Sequence, residues 1–358
     1  MKKVLFIALS LVLLAAICGG CTSETEPETP ATEPETPNTG QETPATEPET
    51  PELVTLRFAH FGIPHFRDIF VAQELGFFEA NGVEVELVQL DSTSIVPALI
   101  GGSVDGGAVG PMDTLPAIAA GADMKLIASG YRSVGPEDVP YICVLKDSPI
   151  TTIEDLDGKT ISGHGSVGSQ AWLWVEDFQK ENDIEFSQYF GAPSGEFQPM
   201  MTSGQVDCST LYANDRLITM KDDIKIIAPL TAAAKFGAPS SLWFSTEFLE
   251  ENPEAVQGFI DAIQQAREYE EDHQLECFEM ACEYSMYGMA VVGPLLEHDA
   301  MYGFPDEIQI EVWQYTLAQD LMLELGIMEE AVDIEAMVDT RFAEPVWEMP
   351  EGYLDFLS

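Results

Sequence analysis

Four short polar stretches of this chain carry side chains suited to holding a small molecule. Gly110-Pro111-Met112-Asp113-Thr114 follows a small-residue apolar run and precedes a helix-forming one, which places it at the carboxyl end of an expected strand. Asp91-Ser92-Thr93-Ser94 groups hydroxyls ahead of Ile95–Ile100, where they either cap a helix or meet a polar ligand group. The run Gly163-His164-Gly165-Ser166-Val167-Gly168-Ser169-Gln170 opens onto a helix, and its glycines let backbone amides approach a ligand closely. No Gly-Lys-Ser/Thr ends it, so it is not a nucleotide loop. Tyr212-Ala213-Asn214-Asp215-Arg216 brings an aromatic ring, an amide and both signs of charge to one strand exit. Hydrogen bonding between aromatic walls is the chemistry these types support. The candidate walls are Phe61, Tyr212 and Trp172, and the candidate contacts are His65, Ser92, Thr93, Gly110, Met112, Asp113, Thr114, Ser166, Gly168, Ser169 and Asn214. Arg216 either holds an anionic group bidentately or pairs with Asp215, and the sequence does not rank it against Arg67 and Arg132.

Catalytic signatures do not appear in the same pattern. There is no H-E-x-x-H or G-x-S-x-G, and His60 and His65 are five apart across a loop with Gly and Pro, off the i, i+4 spacing of a helical metal site. The chain is therefore expected to be no enzyme, with no metal and no cofactor. Of six cysteines, Cys143, Cys208, Cys277 and Cys282 lie beyond the N-terminal segment at spacings that fit neither a zinc ribbon nor a redox C-x-x-C. Cys277 and Cys282 would form a disulfide only if a helix broke between them, so four buried thiols are expected.

The elements that must position these residues alternate. Leu53–His60, Val83–Val88, Asp105–Val109 and Met124–Ala128 read as strands, with helices over Arg67–Leu75, Ile95–Ile100 and Thr114–Ala120 between them. Tyr141–Leu145 is a further strand, and Lys146–Pro149 turns the chain into a second unit. There a helix over Thr152–Leu156, a strand at Thr160–Ser162, helices at Ala171–Lys180 and Gln198–Ser203, and a strand at Val206–Leu211 repeat the pattern. Ile224–Pro229 and Ser241–Phe244 read as the return crossing to the first unit, and helices are expected at Glu254–Tyr269, Leu275–Tyr287, Glu307–Leu325 and Ile334–Phe342. Strand–helix alternation implies mainly parallel sheets with ligands at the strands' carboxyl ends.

The run FVAQELGFFEANGVEVELVQLD, the G-x-x-D-G-G-x-x-G phrase at Gly102–Gly110, the following G-A-D-M-K-L-I and the later KDSPITTIEDLDGKTIS resemble the periplasmic-binding-protein-like superfamily. They are most similar to its nitrate, sulfonate, taurine and thiamine-precursor binding proteins of ABC importers. The resemblance runs over Leu53–Leu249. It implies an α/β, two-lobed, type II periplasmic-binding-protein fold in which each lobe is a mainly parallel sheet flanked by helices and two crossover strands form a hinge. The first lobe would be 53–143 plus 235–358 and the second 144–234, with Thr114, Ser169 and Asn214 facing a shared groove. The implied function is capture of a small polar or anionic organic molecule, such as a sulfonate, taurine, nitrate or a thiamine pyrimidine, for an ABC permease. Alternatives are a pyrimidine-forming or other enzyme on the same scaffold and a two-lobe sensor. One branch of the resembled group makes a thiamine pyrimidine with clustered cysteines and histidine, a cluster this chain lacks.

Lys2-Lys3, the apolar run Val4–Cys18 and Gly19-Gly20-Cys21 have the parts of an export signal over residues 1–20. Cys21 resembles the lipidated residue of a lipoprotein box, although Cys18 stands where that pattern prefers Leu. Residues 21–52 are a Thr/Glu/Pro tether with too little apolar surface to fold, and at about 3.1 Å per residue it would reach up to ~90 Å. The expected location is the outer face of the cell membrane, anchored by the N-terminal lipid alone, as a monomer. Net charge is −47, and the body from Leu53 onward carries 13 basic against 53 acidic residues, −40. That imbalance excludes nucleic acid and anionic membrane surfaces as partners.

Overall fold

The computed structural model describes residues 53–357 except Val134, residues 237–240, Asp299, Tyr302 and Asp306. The export signal, Cys21 and the tether lie outside the described residues. In chain order, β1 (Val54–His60), α1 (Arg67–Glu74), α2 (Phe77–Ala80), β2 (Val83–Gln89), α3 (Ser92–Ile100), β3 (Gly106–Val109), α4 (Pro111–Ala119) and β4 (Met124–Ala128) come first. Next are β5 (Tyr141–Leu145), β6 (Thr160–Gly163), α5 (Gln170–Asn182), β7 (Gln188–Gly191), α6 (Phe197–Ser203), β8 (Cys208–Leu211), β9 (Ile224–Pro229) and α7 (Ala232–Phe236). The chain closes with β10 (Ser241–Ser245), α8 (Thr246–Glu251), α9 (Pro253–Glu283), α10 (Met289–Leu296), β11 (Gln309–Glu311), α11 (Val312–Glu324), α12 (Ile334–Met337) and β12 (Glu344–Val346).

Two five-stranded sheets share one plan. The first has the order β2-β1-β3-β10-β4 and the second β7-β6-β8-β5-β9. In each, three parallel strands (β2, β1, β3 or β7, β6, β8) adjoin one strand that runs antiparallel to both its neighbours. Those antiparallel strands are β5 and β10, the first strand after each passage between the sheets. Because β5 already pairs in the second sheet, the outward passage lies between Ala128 and Tyr141, ahead of the Lys146–Pro149 turn.

Alternation along the strands builds the core on both faces of the first sheet. Neighbouring residues of a strand point to opposite sides, so Phe58 and Phe244 face α9 while Ala59 and Trp243 face α11. On the α9 side the rings of Phe58, Phe244 and Phe259 sit 4.8–5.8 Å apart, and Phe78 stacks on Phe259 at 5.1 Å. On the other side the fully buried Trp243 donates its indole N–H to the Tyr315 hydroxyl at 3.0 Å, tying β10 to α11. Each such buried ring contributes about 1.5–3 kcal/mol through burial.

Several expected elements differ. The helix expected at Thr152–Leu156 is a single 3-10 turn, Glu154–Leu156. Residues 309–311 form β11, paired in parallel with β12, where a helix from Glu307 was expected, and the helix expected to run to Phe342 stops at Met337. The two helices expected between Glu254 and Tyr287 are one, α9, kinked where His273 leaves helical geometry at φ −131°. All four described cysteines are free thiols, and Cys282 is only half-buried, against the expectation of four buried ones.

Candidate functional site

Five strands deliver their carboxyl ends to one cavity of about 690 Å3 between the two sheets. Phe61 follows β1, Ser92 and Thr93 follow β2, and Gly110, Met112 and Asp113 follow β3. From the other side come residues 164–170 after β6 and Tyr212 after β8, while Tyr131 enters from the passage between the sheets. Strand ends are where parallel sheets leave room for ligands, so this placement follows from topology.

Ten of the fourteen candidate residues line the cavity: Phe61, Ser92, Thr93, Gly110, Met112, Asp113, Ser166, Gly168, Ser169 and Tyr212. Four do not. Thr114 is fully buried behind the wall, because α4 begins at Pro111 and carries it one turn inward, where its hydroxyl donates to the Gly110 carbonyl at 3.1 Å. Asn214 opens a wide-turned helix, Asn214–Thr219, and is absent from the lining. Arg216, on the same helix, is buried in an ion pair with Glu137 and lies 4.4 Å over the Tyr141 ring, so the structural role prevails. His65 packs its ring 5.1 Å from Tyr131, behind the cavity wall, and burial together with nearby Arg67 lowers its pKa to about 3. Of Thr114, Ser169 and Asn214, then, Ser169 alone lines the groove, and the neighbours Asp113 and Tyr212 take the other two places.

Trp174 rather than Trp172 supplies the aromatic wall on α5. Ser169 caps this helix, its hydroxyl accepting from the Trp172 amide at 3.3 Å and donating to the His164 carbonyl at 2.9 Å. With the helix start fixed, Ala171 and Trp174 share the inward face, and Trp172 is turned about 200° from Trp174. The loop ahead of the cap depends on Gly165 at φ +70° and Gly168 at φ +90°, left-handed conformations that side chains disfavour. His164, in the same loop, sits edge-on to Phe197 at 5.0 Å and Tyr212 at 4.8 Å, and burial lowers its pKa. Tyr131, His164, Gln170 and Trp174 were not among the candidates. Tyr131 lies in an irregular passage with no periodicity to signal it, whereas His164 and Gln170 flank the glycines that were singled out.

Electrostatically the wall is unusual for a polar site, with no lysine or arginine in it among the described residues. Each of the six arginines is held by a carboxylate elsewhere: Arg57 by Asp105, Arg67 by Glu270, Arg132 by Glu311, Arg216 by Glu137, Arg267 by Asp68 and Arg341 by Asp339. Thus Arg67, Arg132 and Arg216 resolve together as structural. Asp113 is half-buried at the cavity, and burial raises its pKa. The first turns of α3, α4 and α5 all open on the cavity and offer backbone N–H groups to acceptor atoms.

Two α/β halves of matching strand order, with a cavity at their facing strand ends, define a two-lobed periplasmic-binding-protein-like fold. The family model described as NMT1/THI5 like matches residues 63–276, and the chain belongs to that family, as the sequence resemblance implied. The fold is similar to that of the periplasmic aliphatic sulphonate binding protein SsuA from Escherichia coli. That match has a TM-score of 0.65 and 16% identity, over 82% of this chain and 99% of that one. It is also similar to the periplasmic nitrate-binding protein NrtA from Synechocystis PCC 6803, with a TM-score of 0.58 and 12% identity over 80% of this chain and 86% of that one.

Curated relatives carry a different kind of name. A 4-amino-5-hydroxymethyl-2-methylpyrimidine phosphate synthase of Aspergillus parasiticus is 27% identical over 225 residues, 58% of this chain and 63% of the relative. One so named from Legionella pneumophila is 23% identical over 237 residues, 64% of this chain and 73% of the relative. The chain thus spans less than two thirds of the fungal relative's length. These names overturn the expectation that the chain is no enzyme. Missing zincin, hydrolase and Cys/His signatures do not decide the matter in a family whose curated relatives are named as synthases.

Proposed function

We propose that this chain is a solute receptor that captures a small organic molecule in the cavity between its halves and presents it to an ABC permease. The observation that carries this reading is the lining itself: loops from the strand ends of both sheets contribute to one wall, so a ligand there touches both halves. The chain passes from the first sheet to the second after Ala128 and leaves the second after Pro229, and we infer that these two passages act as the hinge on which the halves close. The export signal, a lipid on Cys21 and the tether would hold the receptor outside the cell, within reach of its permease. The candidate residues that line the cavity are the proposed contacts.

A second reading, pyrimidine-forming chemistry in the same cavity, is favoured by the names of the curated relatives. One experiment addresses both. Purified protein is screened by thermal shift against nitrate, alkanesulfonates, taurine, thiamine pyrimidines, riboflavin and aromatic carboxylates and amines, and each mixture is then analysed by mass spectrometry. A captured ligand at one hundred times its dissociation constant adds about 2.7 kcal/mol of stability and is recovered unchanged. Conversion of a bound compound establishes the second reading, and no shift with any compound refutes capture.

A further inference from the structure

The cavity's charge arrangement speaks to the class of ligand, an inference that rests on the receptor reading. Among the described residues no lysine or arginine lines it, and the arginines are all paired to carboxylates elsewhere. His164 lines it too, and burial lowers its pKa. Asp113 is the one acidic side chain among the described residues of the wall. Among the described residues its carboxylate has no hydrogen bond or ion pair, although the buried carboxylates of Asp68 and Glu311 each have an arginine. A half-buried carboxylate without a counter-charge is destabilising until something positive reaches it.

The rest of the wall suits a flat ring. Phe61, Tyr131, Trp174 and Tyr212 supply aromatic surfaces, which attract both stacked rings and cations. Trp174 is 2% exposed, so it meets the cavity by a ring edge, and its indole N–H is buried away from the open space. The helix starts work in the same sense. Each carries about half a positive charge that fades within one turn; that of α4 lies beside Asp113, and those of α3 and α5 favour acceptor atoms. Such partial charges suit ring nitrogens or carbonyls. A full anion would meet Asp113 at close range and a body charge of −40 beyond it.

We propose that the cavity takes an organic cation built on a flat ring: an amine- or amidine-bearing aromatic molecule whose positive edge meets the Asp113 carboxylate and whose acceptor atoms face the starts of α3 and α5. Sulfonates and nitrate are excluded by the same charges.

Three probes of nearly one shape test the charge alone: benzamidine, benzamide and benzoate, with benzenesulfonate as a second anion. Binding to the full-length protein is measured by calorimetry and thermal shift, and repeated with Asp113→Asn. Benzamidine is expected to bind about tenfold more tightly than benzamide, the difference between a charge-assisted and a neutral hydrogen bond, and to lose that preference in D113N. Benzoate or benzenesulfonate binding as well as benzamidine would overturn the charge assignment and leave the receptor reading standing. If benzamidine keeps its preference in D113N, Asp113 is not its partner and the proposal fails. Binding by none of the four overturns the proposal, while the receptor reading stands or falls with the wider thermal-shift screen. The wild-type ranking needs no variant, so a poorly folding D113N leaves the test intact.

Discussion

Gly191 ends β7 and supports the loop that forms one wall of the cavity. A Cβ built there would lie 2.1 Å from the Gly165 carbonyl oxygen, 2.7 Å from the Gly165 carbonyl carbon and 2.9 Å from the Ser166 Cα. All three atoms are backbone, so no side chain can rotate away. Real Cβ contacts essentially never fall below 3.0 Å, and the shortest of these is 0.9 Å inside that limit. Gly191 does not have a positive φ, so alanine suits its own backbone and the clash is the effect under test. Either the 165–166 loop moves outward by close to an ångström, or β7 loses its pairing of Gly191 with Gly163. Overpacking of this kind costs about 1–3 kcal/mol. A contact loop held to within about 0.5 Å is also thrown out of register, which should weaken ligand binding about tenfold.

Equilibrium urea unfolding reads the first effect, and calorimetry with a compound found by the thermal-shift screen reads the second. Gly195→Ala is the control: a Cβ there meets nothing within 4 Å, and alanine should stabilise by about 0.4–1 kcal/mol through the unfolded chain. The two substitutions therefore differ in sign. Should G191A and G195A prove indistinguishable in both assays, Gly191 does not buttress the loop and the wall is not rigidly positioned.

Other substitutions test the packing beneath the site. Asp68 and Arg267 form a buried pair at 2.9 Å with both side chains 5% exposed, so Asp68→Asn should cost about 3–5 kcal/mol in urea unfolding, while replacing both partners, Asp68→Asn with Arg267→Met, which leaves neither charge unpaired, should cost less. Asp113 has its pKa raised by burial, so its ionised form weighs against folding once pH exceeds the unfolded carboxylate value of about 3.9. Unliganded Asp113→Asn should accordingly be more stable than wild type at neutral pH, with the gain shrinking as pH falls toward that value; a gain that grows on acidification contradicts the assignment. Ser245 caps α8 by accepting from the Phe248 amide at 3.2 Å, and Ser245→Ala should cost about 1 kcal/mol by thermal or urea unfolding.

The alternation of apolar runs with turn residues was enough to reveal an α/β pattern, because strand and helix periods differ and glycines punctuate them, while the division into two lobes was implied by the family resemblance. It was not enough to place side chains around a helix start. Pro111 is suited to the first position of a helix, yet Gly110–Thr114 reads equally as a loop; the three residues of difference put Asp113 on the cavity and Thr114 in the core. Likewise Tyr212–Arg216 has the composition of a binding loop, and only the wide-turned helix beginning at Asn214 shows that its charges turn inward. Three-residue strands such as β11 and β12 are too short for any periodicity, so β11 was read into a helix and β12 was not expected at all.

Charge was the property least open to inspection along the chain. The sum of −40 is visible at once, but the partners that consume the arginines are remote: Arg267 meets Asp68 across 199 residues, Arg67 meets Glu270 across 203, and Arg132 meets Glu311 across 179. An isolated reading of Arg67, Arg132 or Arg216 therefore sees a free cation where the fold has none to offer. With 53 acidic residues to 13 basic in the body, burying an arginine without a carboxylate nearby is avoidable, and every one of the six has found its counter-charge. What remains at the cavity is backbone N–H and a lone carboxylate. A fold shared with proteins named for binding sulphonates and nitrate thus brings the cleft and the helix starts, while ligand charge is decided by which side chains the ion pairs leave over.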